Sequence, residues 1–140
     1  MIFADTSALF AFLVADDRHH VRAVLAEALI RRDRGTLWTI DPVLPELWLL
    51  LRRETDSGQA DRLVSALLDR GLRRHGMEQH TVSRALALGR EWPDQGFSLT
   101  VRQAFAAIEA VGEYRAWSYD NDFAVIRVGP RRSEALQLVR

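Results

Sequence analysis

Ile2-Phe3-Ala4-Asp5-Thr6-Ser7-Ala8 carries an abrupt change of character within seven residues. Three apolar positions in succession are what a strand buried on both faces of a parallel sheet requires, and the polar Asp5-Thr6-Ser7 that follows ends that strand at Asp5. Ala8 to Val14 and His20 to Ile30 then carry apolar residues at helical spacing, the second with Val21, Val24, Leu25 and Leu29 on one face. After Gly35, the β-branched and aromatic Thr36-Leu37-Trp38-Thr39-Ile40 predicts a second strand, and Asp41-Pro42 predicts a helix start, aspartate as cap and proline in the first turn. That helix runs to about Glu54 with Leu44, Leu47, Trp48 and Leu51 at core spacing.

The pattern continues with amphipathic helices predicted over Gln59 to Leu68 and Thr81 to Glu91. Trp92-Pro93-Asp94-Gln95-Gly96 breaks the chain, and Thr100 and Gln103 have capping-box spacing ahead of a helix over Ala104 to Val111. Arg115 to Tyr119 and Val125 to Val128 read as late strands, separated by the turn-prone Asp120-Asn121-Asp122. Strands alternating with helices make an α/β domain with a central parallel sheet and helices on both faces, and residues 1–140 read as one such domain. Ligand sites in such sheets lie beyond the carboxyl ends of the strands, where Asp5 and Asp120 both fall.

Composition removes several classes of function. The 19 basic and 19 acidic residues cancel, so no global field draws the chain to nucleic acid or to an anionic membrane, and any affinity for RNA must come from local patches. Cysteine is absent, which excludes disulfides, thiolate zinc sites and cysteine nucleophiles. Every basic residue is arginine, which excludes a P-loop lysine and a Schiff-base lysine, and disfavours a receiver-type phosphotransfer domain. No apolar run approaches the roughly 20 residues that span a bilayer, and Met1 to Asp5 has no basic leader, so a cytoplasmic protein without membrane contact is expected.

Three carboxylates stand out by position: Asp5 after the first strand, Glu46 in the helix after the second, and Asp120 after the Arg115 to Tyr119 strand. Val43, Leu47 and Leu50 surround Glu46 on the helix surface, so its side chain leaves from the margin of an apolar face. Gathered carboxylates repel one another unless a cation neutralises them, and hard oxygen donors suit Mg²⁺ or Mn²⁺. Such an ion can polarise a phosphodiester and help generate hydroxide, which is nuclease chemistry. Each acid also has a structural reading: Asp5 as a helix cap, Glu46 as a charge favourable to the helix dipole, Asp120 as an Asx turn.

Ile2-Phe3-Ala4-Asp5-Thr6-Ser7-Ala8, Pro45-Glu46 opening a leucine-rich helix, Phe97-Ser98-Leu99-Thr100 before a helix, and Trp117-Ser118-Tyr119-Asp120-Asn121-Asp122-Phe123 occur in an order and spacing that resemble the PIN-domain family along nearly the whole chain. The resemblance implies a three-layer α/β/α fold and the metal-dependent endoribonuclease toxins of VapBC-type toxin–antitoxin pairs. Asp5, Glu46 and Asp120 match the family's catalytic, metal-binding acids. A further family aspartate, usual in the first turn of the helix after Phe97-Ser98-Leu99-Thr100, is replaced by Val101, which cannot ligate a metal; Asp122 is a partial substitute. Three clustered carboxylates and a weakened Mg²⁺ or Mn²⁺ site are therefore expected, with a catalytically silent domain that binds RNA or antitoxin as the alternative.

The resemblance also implies an RNA substrate, an antitoxin protein and a homodimer, and the apolar surface of the first helices suits a partner helix lying in a groove. Arginine pairs at Arg31-Arg32, Arg52-Arg53, Arg73-Arg74 and Arg131-Arg132 could contact phosphates, although their acidic neighbours favour solvated helix faces. His19, His20, His75 and His80 lack metal-ligand spacing and read as surface or helix-end residues. Trp38, Trp48, Trp92 and Trp117 read as packing residues of the core or an interface.

Overall fold

The computed structural model describes residues 1–140. Strand β1 (Ile2–Ala4) sits at the centre of a five-stranded sheet in the order β3-β2-β1-β4-β7, with β2 at Leu37–Ile40, β3 at Arg73–His75, β4 at Arg115–Trp117 and β7 at Gln137–Val139. Every pairing in this sheet is parallel, with Phe3 opposite both Trp38 and Ala116. The chain thus has the expected α/β architecture, and all three residues of β1 are buried.

Helix α1 (Thr6–Leu13) packs against both α2 (His20–Arg32) and α3 (Val43–Glu54), α3 packs against α4 (Ser57–Asp69), and α5 (Gln79–Glu91) and α6 (Leu99–Val111) pair with each other. Both α3 and α6 contact β2, which places the sheet between the two helical layers. Gly112, in the left-handed conformation at φ 76°, terminates α6. A column of aromatic rings runs through the core: Trp38 meets Phe3 edge-on at 5.0 Å, Phe3 stacks on Phe123 at 6.1 Å, and Phe123 meets Phe105 edge-on at 5.0 Å. This column holds together the segments that carry the acids, since Phe3 precedes Asp5 by two residues and Phe123 follows Asp122.

Several expectations are corrected. The capping box at Thr100 and Gln103 does not form; α6 begins two residues earlier, where the Ser98 hydroxyl accepts from the Val101 N–H at 3.1 Å. Asp41 does not cap α3 through its side chain, because its carboxylate is engaged by Arg74 Nε at 2.8 Å and the helix starts at Val43. The stretch Val125 to Val128 is not a strand of the main sheet. Burial of Phe123 draws Asp122–Val125 into a short helix, α7, and only Arg127–Val128 is extended, as β5 paired antiparallel with β6 (Glu134–Ala135) in a separate ribbon. The face of α2 bearing Val21, Val24, Leu25 and Leu29 is turned outward, with Val21 72% exposed, while Ala23, Ala26 and Ile30 face the core. No helix is long and apolar enough to cross a membrane.

Candidate active site

Asp5 is the first residue beyond β1 and does two jobs with one oxygen. It is the N-cap of α1, accepting from the Ser7 N–H at 3.2 Å, and the same Oδ2 accepts from the Ser7 hydroxyl at 2.7 Å and the Ser118 hydroxyl at 3.0 Å. Oδ1 accepts no hydrogen bond from the protein. The residue is only 5% exposed, and burial pushes its carboxyl above the ordinary carboxylate value; the Ser7 and Ser118 donors oppose that rise and the neighbouring Asp120 adds to it.

Asp120 reaches the same place from the loop beyond β4. Its backbone N–H donates to Ser118 Oγ at 3.0 Å, so one hydroxyl ties the Asp120 backbone to the Asp5 carboxylate. Asp120 Oδ1 accepts from the Asp122 N–H at 2.9 Å, the expected Asx turn, and leaves Oδ2 without a protein partner. Asp122 is itself raised, first by partial burial and then by Asp120. Arg140 braces this loop through its main chain, with Nε donating to the Ser118 carbonyl at 3.0 Å and Nη2 to the Asp120 carbonyl at 3.2 Å.

Glu46 enters from the first turn of α3, where its charge also favours the helix N-terminus. Its Oε2 accepts from the hydroxyl of Thr6, the residue beside Asp5, at 2.8 Å, and Oε1 is unengaged. The three distant acids are therefore linked through Thr6, Ser7 and Ser118. Val101, 9% exposed, sits one helical turn before Phe105 and joins the apolar core.

The donor chemistry fits a hard divalent cation, since Asp5, Glu46 and Asp120 each keep one oxygen free of protein hydrogen bonds. The arrangement is nevertheless looser than a finished site: no three Asp, Glu or His side chains form a ready metal-binding group. Ser118, Thr6 and Arg140 were not singled out by the sequence. Ser118 had one usable signal, its place between a strand and an acidic turn, while the role of Arg140 depends on a strand, β7, with no strong pattern of its own.

No protein-family model matches the chain, and no curated protein matches it either. Solved structures do. The sarcin-ricin loop cleaving toxin VapC20 of Mycobacterium tuberculosis superposes with a TM-score of 0.77 over 87% of this chain and 92% of that one, at 23% identity. The chain has the VapC fold. A chain of Rickettsia felis VapBC2, solved bound to a DNA fragment from its promoter, gives a TM-score of 0.67 over 99% of this chain and 97% of that one, at 16% identity. At such identities the likeness concerns the fold, which matches the α/β/α arrangement expected from the sequence.

Proposed function

We propose that this chain is a divalent-metal-dependent endoribonuclease and the toxin component of a toxin–antitoxin pair. The observation that carries the reading is the tie between Asp5 and Asp120 through Ser118, at the carboxyl ends of two neighbouring parallel strands of a VapC-like fold. Asp5, Glu46, Asp120 and Asp122 are the residues that would hold Mg²⁺ or Mn²⁺. When bound, such an ion lowers the pKa of water and takes up charge developing on a phosphodiester. The chain's own contribution is orientation: Ser7 and Ser118 fix Asp5, Thr6 fixes Glu46, and Arg140 fixes the backbone that carries Asp120.

Val101 in place of a carboxylate weakens the metal site on this reading, by about 10- to 100-fold in affinity if it matters as much as a supporting residue at other metal centres. The absence of a preformed three-acid group favours a second reading, a silent domain that binds RNA or antitoxin without cutting. A partner is also proposed. The outward face of α2, with Val21, Val24, Leu25 and Leu29, is the kind of apolar surface that an antitoxin or a second copy of the chain would cover.

The test is incubation of the purified chain with a sarcin-ricin loop RNA and other structured RNAs in Mg²⁺, Mn²⁺ and chelator. The nuclease reading expects cleavage with either metal, none in chelator, and none with Asp5→Asn. Binding of RNA by the folded chain without cleavage in any metal would replace it with the silent reading.

A further inference from the structure

Two aromatic rings stand on the rim of the acidic site. His19, at the start of α2, and Tyr119, the residue before Asp120, lie face to face with ring centroids 4.5 Å apart and 5° between their planes. Both are half-buried. The stack is fixed to the acidic network: the Tyr119 N–H donates to Ser7 Oγ at 2.9 Å, the same hydroxyl that donates to Asp5, and its phenol oxygen accepts from Trp117 Nε1 at 3.4 Å. On the other side, the His19 N–H donates to Asp17 Oδ1 at 2.8 Å.

Two guanidinium groups are bonded to the stack or to the main chain beside it, and neither is neutralised. Arg18 Nε donates to His19 Nε2 at 3.1 Å, and Arg140 donates only to the carbonyls of Ser118 and Asp120; both side chains are exposed and neither pairs with a carboxylate. The rim therefore presents stacked aromatic rings with one guanidinium bonded to the His19 ring and another bonded to the main chain before and after Tyr119, next to carboxylates suited to a metal ion. A single-stranded polynucleotide has the complementary pattern, a planar base between two phosphates, because bases stack on aromatic rings and guanidinium groups bind phosphate.

We propose that the His19–Tyr119 stack is a nucleobase subsite beside the cleavage site, with Arg18 and Arg140 holding the phosphates that flank the base. This rests on the nuclease reading above and adds how the substrate strand is held. The subsite takes any base, since stacking reads a π-face and not a hydrogen-bonding edge.

The experiment uses the intact chain in Ca²⁺, with short fluorescent single-stranded RNA confirmed intact on a gel, and compares an oligo(A) with an abasic oligomer of the same length by fluorescence anisotropy. Tyr119→Leu and His19→Ala are expected to weaken oligo(A) binding by roughly 5- to 150-fold while leaving abasic binding unchanged. Tyr119→Phe and His19→Phe keep the ring and are expected to keep the affinity, which separates stacking from damage to the fold. Arg18→Ala and Arg140→Ala should weaken both oligomers alike and each lower the salt dependence by about one counterion. Equal losses for oligo(A) and abasic RNA in the ring-deleted variants, or no loss in either, would overturn the subsite. If wild type cuts RNA while the variants bind normally, only the subsite fails; if wild type neither binds nor cuts RNA, the nuclease reading fails with it.

Discussion

Val101→Asp places a carboxylate where the PIN-domain resemblance implies one, and its cost follows from where Val101 sits. The valine is 9% exposed, belongs to the main core cluster and lies in the first turn of α6, which carries no acid of its own. Losing its buried methyl groups and placing a poorly solvated carboxylate there costs, after a small gain from the helix N-terminus, roughly 2–4 kcal/mol without metal. At about 3–4 °C per kcal/mol for a chain of this size, the chelated variant should melt about 6–16 °C below wild type. Val101 precedes Phe105 by one turn, and Phe105 packs on Phe123 beside Asp122, so the new carboxylate should face the acidic site and gain from a cation there. A metal at 100 times its Kd returns about 2.7 kcal/mol. The assay is thermal unfolding followed by circular dichroism, in chelator and across a Mg²⁺ and Mn²⁺ titration, beside RNA cleavage on the same samples. The variant should recover most of its deficit with metal, shift more than wild type does, and cut RNA faster. A folded variant whose midpoint responds to metal no more than wild type's would refute the argument that position 101 faces the site.

On the proposed reading Asp5→Asn should reduce metal-dependent cleavage by at least about 100-fold, measured as initial rates on one RNA, because it would remove a direct ligand where supporting residues alone matter 10- to 100-fold. Asp5 also makes stability depend on pH. Its folded pKa lies above the ordinary 3.8, so its stabilising contribution is fully present below that value and is lost as pH rises through the raised one. In chelator, the midpoint of wild type relative to Asp5→Asn should therefore fall as pH rises from about 4 toward neutrality; a flat difference would contradict the shift. Glu27 has the opposite sign: burial raises its pKa, but hydrogen bonds from Arg31 and Arg70 outweigh this and hold it below 4.5, so its contribution is lost only as pH falls through that lowered value. Glu27→Gln should cost about 1–3 kcal/mol at neutral pH by urea unfolding and have little effect on RNA cleavage.

What the sequence displayed well was what local chemistry decides. Ile2-Phe3-Ala4 is legible as a strand because three successive apolar residues suit a strand covered on both faces, and the polar triplet after it marks where that strand ends. Edge strands were less legible. Arg73-Arg74-His75 has no apolar alternation, and its strand state comes from the main-chain ladder offered by β2, helped by His75 packing on Trp38 at 4.7 Å. Gln137–Val139 is likewise extended because β4 has a free edge. Val125 to Val128 had the β-branched content of a strand, but the buried ring of Phe123 set the local geometry instead. The acids could be picked out because they stand at strand and helix ends. Their supports could not, since the ties from Ser118 to Asp5 and from Arg140 to Ser118 cross 113 and 22 positions of sequence.

The structural roles of the three acids leave room for the metal-binding role proposed for them. Asp5 caps α1, Asp120 makes an Asx turn and Glu46 is held by a threonine, and in each case one carboxylate oxygen takes all the protein's donors. The second oxygen of each is left without a protein partner, and none of these three oxygens is sealed from solvent. Fixing an acid through one oxygen sets its direction without using its capacity to accept from elsewhere. On the proposed reading, the caps and turns that are the ordinary explanation of these acids are also what would aim their free oxygens at a bound cation.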